Sequence, residues 1–411
     1  MKSIAFSVRG QTGSIPAIGL GTATLFDDQC TAAVRTAIQQ GYRYIDTALL
    51  YNNQEAVGVA IAQAIAAGEV RREELFIVSK VGFYPAAADG TNTDVHIKFE
   101  PTNRKGHAET LAAVDLCLAK LKLASVDLML IHNPCTDIDE YQASSCPHNF
   151  ELSKSRLLPS ERRLILASRL ATAHAKFDAA AGDAARAATW RALEEAQAAG
   201  KCRFIGVSNY SPYLLQRMEA YARVQPAVNQ LELHPRASSP ALRALAQSMG
   251  MALTAYGSGN CVGIERCPVV AAIAAAHGAT PVAVTLAWTL QRGVGVIPRT
   301  ANPAHMAENL RAAALTLSAE ELAQLDAKNQ AHFYCAWAWP QQAHCPPPLA
   351  STFLLSPPLP TPASLFHEQT GSPCPCSPLA LSPTAERESR QRCSNHSCRG
   401  IRIFFRLLFK H

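Results

Sequence analysis

Four side chains of the types that hold or move protons stand at equivalent places along this chain. Asp46 closes the apolar run Tyr42 to Ile45, and Tyr51 follows it by five residues. Lys80 closes the run Leu75 to Ser79 (LFIVSK), and His132 closes Val126 to Ile131 (VDLMLIH). A carboxylate, a phenol, an ammonium and an imidazole at the ends of three successive strand-like runs form the pattern to explain. In a (β/α) barrel the carboxyl ends of the strands are where chemistry collects. Taken singly, each residue has a plainer reading: a loop cap at Asp46, a half-buried surface aromatic at Tyr51, ordinary strand ends at Lys80 and His132.

The elements that must position them alternate along the chain. Helical periodicity covers Asp28 to Gln40, Glu55 to Ala67, His107 to Leu121, Ala184 to Ala199, Pro212 to Tyr221, Pro240 to Met249 and Val269 to Trp288. Between them lie Tyr42 to Ile45, Leu75 to Ser79, Val126 to Ile131, Phe204 to Val207, Ala227 to Glu232, Ala252 to Tyr256 and Val294 to Ile297. Most of these runs are apolar throughout, as strands buried on both faces are. Gly41, Gly68, Gly200 and Gly250 fall where helices should stop. Seven strands, plus a short candidate at Leu310 to Leu315, predict a closed (β/α)₈ TIM barrel. Ser3 to Ala17 reads as a hairpin turning at Gly10 to Gly13. Ile18 to Thr24 (IGLGTAT) is too poor a dinucleotide fingerprint to support a doubly wound fold.

Two long loop insertions, about 81–105 and 133–183, interrupt the alternation and leave from strand ends. The barrel is expected over residues 1–340. Residues 341–411 are expected to be a Pro-rich disordered tail, since they hold eleven of the 26 prolines without periodicity. The formal charge of +6 divides unevenly. The tail has seven Lys/Arg against three Asp/Glu, which leaves 31 against 29 for the rest. A nearly neutral globular part gives no reason to expect a nucleic-acid partner. The opening MKSIAFSVRG lacks the apolar core of a secretory signal, and no apolar run approaches the roughly 20 residues of a membrane span. Thirteen irregularly spaced cysteines then read as reduced thiols in a cytoplasmic protein, with no membrane partner and no metal site assigned.

The segments GYRYIDTALLYNNQEAVGVAI, LFIVSK, VDLMLIHNP, TWRALEEAQAAGKCRFIGVSNY, PAVNQLELHP and IPRTANPAHMAENL resemble, in order, those of the aldo-keto reductase family. The resemblance covers roughly Ile4 to Gln330 apart from the inserts. It implies a monomeric barrel that reduces aldehydes and ketones, its small-molecule carbonyl substrates, with NADPH. The family's catalytic four then fall on Asp46, Tyr51, Lys80 and His132. A phenol of pKa near ~10 is a weak acid at neutral pH unless its surroundings help. An ammonium at Lys80 would favour phenolate at Tyr51, and Asp46 would keep Lys80 charged. Tyr51 is then the general acid, with His132 donating to the carbonyl oxygen.

The resemblance also implies cofactor contacts. Ser208, Asn209 and Gln230 would hold the carboxamide, Tyr256 would stack on the nicotinamide, and Thr22 and Asp46 would meet the ribose. Arg299 and Thr300 would grip the 2′-phosphate, the guanidinium fork suiting phosphate, and Glu308 and Asn309 would meet the adenine. Where a second arginine is common beside the adenine this chain has His305, which leaves NADH possible. Asn133 and Ala23 stand where bulky aromatics often wall the substrate pocket, so the wall should be thinner. The rival reading is a nucleotide-binding regulatory or redox-sensing barrel with little turnover.

Overall fold

The computed structural model describes residues 2–82, 106–135, 179–259, 263 and 266–330. The tail, most of both expected insertions and the division expected at residue 340 lie outside these residues. The chain opens with β1 (Ser3–Val8) and β2 (Gln11–Pro16), paired antiparallel. The turn is tighter than expected. Arg9 and Gly10 form it alone, with Gly10 at φ +84°, where glycine carries no Cβ penalty. Gly13 lies within β2, opposite Phe6. The hairpin is tied to the segments preceding later strands by Ser7 N–H to Gly250 O (2.8 Å) and Gln225 N–H to Arg9 O (2.8 Å). Its Phe6 and Ile15 join the core inside the barrel, where Phe6 meets Phe204 edge-on at 4.9 Å.

Eight parallel strands follow: β3 (Leu20–Gly21), β4 (Tyr44–Asp46), β5 (Phe76–Val81), β6 (Val126–Ile131), β7 (Cys202–Ser208), β8 (Val228–Glu232), β9 (Ala252–Tyr256) and β10 (Gly295–Val296). Each pairs with its neighbour in chain order. The sheet closes where Gly19 N–H donates to Val296 O (2.9 Å), Val296 N–H to Ala17 O (2.8 Å) and Gly21 N–H to Pro298 O (3.2 Å). The architecture is therefore the expected (β/α)₈ barrel, but its eighth strand is β3, inside IGLGTAT. Leu310 to Leu315 forms no strand. Leu310 belongs to a helix whose buried side chains, Met306, Asn309 and Ala312, recur every three residues.

The helices are α1 (Asp27–Gln39), α2 (Gln54–Ala66), α3 (His107–Leu121), α4 (Ala179–Ala198), α5 (Pro212–Met218), α6 (Pro240–Ser248), α7 (Pro268–Ala276), α8 (Pro281–Gln291), α9 (Pro303–Ala312) and α10 (Ala319–Asp326). The expected single helix Val269 to Trp288 is two, bent by 90°. Gly278 at φ +57° ends the first, and Pro281 opens the second behind a Thr280 cap. Gly41, Gly68, Gly200 and Gly250 all have positive φ at helix ends, as expected. Two apolar layers result. One lies between strands and helices, with Ile45, Ile77, Met129 and Ile205 facing Val34, Val57, Val114 and Leu193. The other fills the bore with Tyr44, Phe76, Val78, Leu128, Leu130, Phe204 and Val228. Burying each such aliphatic side chain contributes about 1.5–3 kcal/mol, which holds the strand ends rigid beneath the site.

Candidate active site

β4 ends on Asp46, and alternation points Asp46 and Tyr44 to the bore. β5 pairs Val78 with Asp46, so Lys80 stands one alternation higher on the same face. Both side chains are sealed, Lys80 at 0% and Asp46 at 1% exposure. Lys80 Nζ donates to Asp46 Oδ1 at 2.5 Å, to the Thr47 carbonyl at 3.0 Å and to Tyr51 Oη at 3.2 Å. Three acceptors match the three donors of an ammonium. The other carboxylate oxygen, Asp46 Oδ2, accepts from Gln230 Nε2 at 2.7 Å. Burial is the largest influence on both groups. It pushes the Asp46 carboxyl up against the pull of Lys80 and Gln230, and the Lys80 ammonium down against the pull of Asp46.

Tyr51 reaches this pair through a single 3₁₀ turn, Leu49–Tyr51, which ends on Asn52 at φ +51°. His132, the first residue after β6, is buried, and its ring meets Tyr51 edge-on with centroids 5.5 Å apart. Asp46, Tyr51, Lys80 and His132 thus converge at one mouth of the barrel. Next to them Asn209, at φ +64°, donates from Nδ2 to the His132 carbonyl and to Ser208 Oγ, each at 2.9 Å. Its Oδ1 accepts from the half-buried Tyr256 at 2.8 Å, and Ser208 Oγ donates to Gln230 O at 2.8 Å. The aromatic expected to stack on a nicotinamide and the polar groups expected to hold its carboxamide form one connected network.

The other expected contacts divide. Thr22 is buried, with its hydroxyl donated to Asp46 O at 2.9 Å. Each carboxylate oxygen of Asp46 already accepts one hydrogen bond, from Lys80 and from Gln230, and keeps a lone pair for a further donor. Around the start of α9, Arg299 is exposed and makes no ion pair among the described residues. Thr300 Oγ1 accepts from Asn302 N, and His305 is exposed nearby in sequence. An exposed guanidinium beside a hydroxyl fits a phosphate monoester. Glu308 is half-buried and accepts from Thr280 Oγ1. Asn309, also expected at the adenine, is buried beside Tyr42, whose hydroxyl donates to Met306 O at 3.0 Å.

Sequence reading missed the residues that lock the site. Asn53 accepts from Thr47 Oγ1 at 2.9 Å and donates to Thr22 O at 2.7 Å and Leu25 O at 2.8 Å. One buried amide thereby joins the loop after β3, the end of β4 and the Tyr51 turn. Its signal was its place two residues after Tyr51; its partners, 28 and 31 residues away, carried none. Gln54 likewise donates to Ser79 Oγ at 2.6 Å, bracing the residue before Lys80.

A parallel eight-stranded barrel with a carboxylate, ammonium, phenol and imidazole at one mouth defines a class of barrel oxidoreductases acting on carbonyl groups. Comparison with known proteins gives the family. The profile of the aldo/keto reductase family matches residues 17–258 and 262–330, and the chain belongs to that family. It is 33% identical to an aldo/keto reductase of Synechocystis sp. over 79% of this chain and 90% of that protein. It is 33% identical to aldo-keto reductase family 1 member A1 of Rattus norvegicus, with the same coverage. It is 32% identical to an NAD(P)H-dependent D-xylose reductase of Hypocrea jecorina, over 76% of this chain and 88% of that one. Among solved structures, an aldo-keto reductase of Bombyx mori in complex with NADP superposes with a TM-score of 0.61. That pair shares 26% identity and covers 81% of this chain and 95% of the other.

Proposed function

We propose that this protein reduces aldehydes or ketones to alcohols with NADPH, using Tyr51 as the general acid. The observation that carries the reading is the three-way hydrogen bonding of the sealed Lys80 to Asp46, Thr47 and Tyr51. The bound nicotinamide nucleotide supplies the hydride. Lys80 holds a positive charge 3.2 Å from the Tyr51 oxygen, which favours phenolate and so eases proton release. Asp46 offsets that charge and fixes its position. His132, edge-on to Tyr51, donates to the carbonyl oxygen and orients it, so that developing charge meets two donors rather than water. In alcohol oxidation Tyr51 accepts the proton instead.

Tyr256 forms the face on which the nicotinamide stacks, while Ser208, Asn209 and Gln230 hold its carboxamide. Thr22 lines the ribose. Arg299 and Thr300 take the 2′-phosphate, and Glu308 meets the adenine. NADPH is therefore preferred through Arg299 and Thr300, while His305, standing where a second arginine is common, narrows that preference and leaves NADH possible. The protein acts as a cytoplasmic monomer, its 1–340 barrel carrying the activity.

A panel of aldehydes and ketones incubated with each reduced nicotinamide, followed at the nicotinamide absorbance, tests the reading. Consumption of NADPH with some members, and slower consumption of NADH, is expected. Tight NADPH binding with no turnover across the panel would replace it with the regulatory or redox-sensing barrel.

A further inference from the structure

Helix α2 begins at Asn53, a residue type that ordinarily turns its side-chain oxygen back onto the first N–H groups of its own helix. Here it does not. Val57 N–H donates to the Asn53 carbonyl at 3.0 Å, so the residue stands at the cap, yet no N–H of the first turn reaches its side chain. The cap is forgone for bonds made elsewhere: one accepted from Thr47 Oγ1, and two donated, to the Thr22 and Leu25 carbonyls. Two carbonyl partners admit only the amide nitrogen on their side, which fixes the way the amide faces. Asn53 is 2% exposed and Thr47 0%, so water does not compete for these bonds.

Thr47 and Asn53 flank the segment that carries Tyr51. Their side-chain bond at 2.9 Å closes that segment into a ring. Inside it Tyr51 N–H donates to Ala48 O at 3.1 Å and Asn52 N–H to Leu49 O at 3.3 Å. A short closed ring has few conformations, so the direction of the phenol is set by the two ends. One end is fixed to the barrel by Thr47 N–H to Val78 O at 3.0 Å. The other meets the turn at residues 22–25, which Leu25 N–H closes onto Thr22 O at 3.1 Å. The third residue of that turn, Thr24, has φ +59°, a left-handed conformation that suits glycine or asparagine and strains a β-branched side chain. The Asn53 amide grips the turn on either side of Thr24 and so holds a conformation that threonine does not favour.

We propose that Asn53 is the positioning residue of the proton donor. In place of capping α2 it staples the Tyr51 segment end to end and pins it to the strained turn at 22–25, which keeps the phenol beside Lys80. The staple itself is independent of the reaction; its kinetic effect rests on the reductase reading. Because Thr22 lines the ribose, loss of Asn53 weakens NADPH binding as well. The kinetic claim is therefore carried by Thr47, whose hydroxyl bonds to Asn53 alone and not to the turn.

The test uses the full chain carrying Thr47→Val, Asn53→Ala, the two together, and Asn53→Ala with Thr24→Gly. Thermal denaturation, NADPH titration and carbonyl reduction are the readouts. Thr47→Val deletes the hydroxyl but keeps the backbone carbonyl that Lys80 meets. Its kcat should fall about five-fold, the worth of one neutral buried hydrogen bond, with NADPH affinity and carbonyl KM unchanged. Its Tm should fall by about 2 °C. That loss should vanish in the Asn53→Ala protein, where the partner is gone. Asn53→Ala alone should lower kcat about ten-fold or more. Adding Thr24→Gly should return a large part of that activity, because glycine keeps the turn without the clamp. An unchanged kcat in Thr47→Val, equal Tm losses from Thr47→Val with and without the Asn53 side chain, or no recovery on adding Thr24→Gly would overturn the proposal. Should Asn53→Ala fail to fold, the Thr47→Val kinetics decide alone. If the parent protein reduces no carbonyl, the reductase reading fails and the paired Tm measurements decide the staple.

Discussion

Removing the ammonium at the centre of the site exposes how finely the buried pair is balanced. At 2.5 Å the attraction between Lys80 and Asp46 is about 7 kcal/mol at an effective dielectric of ~20. Desolvating two ions costs several kcal/mol each, so the pair contributes little net stability. Lys80→Met removes the attraction and leaves Asp46 buried with Gln230 as its remaining side-chain donor. That variant should lose about 3–5 kcal/mol. Asp46→Asn together with Lys80→Met removes both charges and should lose far less than the sum of the singles. Urea denaturation of the four proteins at pH 7 yields the coupling energy. The pH dependence adds a sign. In Lys80→Met the folded-state Asp46 pKa lies above its unfolded value, so the folded state binds the extra proton between the two. Its stability is then highest at acid pH and is lost as pH rises through the folded pKa. Additive losses, or a Lys80→Met penalty that shrinks from pH 4 to pH 7, would refute the reasoning.

Three further outcomes are expected. Tyr51→Phe should abolish most turnover while leaving NADPH affinity within about two-fold, because it deletes the proton donor and little packing; fluorescence titration beside the kinetic assay checks both halves. Arg299→Ala should raise the KM for NADPH far more than that for NADH, and equal effects would show that the guanidinium does not meet the 2′-phosphate. Cys30 and Cys202 are free and buried, and burial pushes both thiols up to about 12, with the charge of Asp27 adding to the first. Since their folded pKa exceeds the unfolded one, the stability they contribute is complete below pH 9 and is lost as pH rises toward 12, by roughly 4 kcal/mol per thiol. Cys202→Ala should flatten that alkaline slope in denaturation curves taken between pH 8 and pH 11.

What could be read from the sequence followed from the length of the repeating signal. Strands buried on both faces, such as Val126–Ile131, announce themselves as apolar blocks, and the residue closing each block marks the rim where the four site side chains meet. β3 gave no such signal: only Leu20 and Gly21 pair fully, and two residues carry no period. The sequence pattern offers Leu310–Leu315 in its place, a short stretch with too few residues to separate a helical from a strand period. The break between α7 and α8 was hidden because both helices are apolar, and Gly278 and Pro281 were the only marks of the bend. In the site, residue type and strand position located Asp46, Tyr51, Lys80 and His132. Asn53 and Gln54 act through partners distant in sequence, and polarity alone does not tell such a brace from an ordinary buried side chain.

The short pairing of β3 and β10 makes the join between first and last strands the thinnest part of the barrel wall. The backbone of Arg299 bridges Gly21 across that same join. A nucleotide phosphate gripped by Arg299 would therefore act as a rivet through the wall. Amide protons at Gly19, Gly21 and Val296 should then exchange with solvent more slowly once NADPH is bound, so that the ligand's grip is felt as rigidity on the side of the molecule farthest round the sheet from β6 and His132.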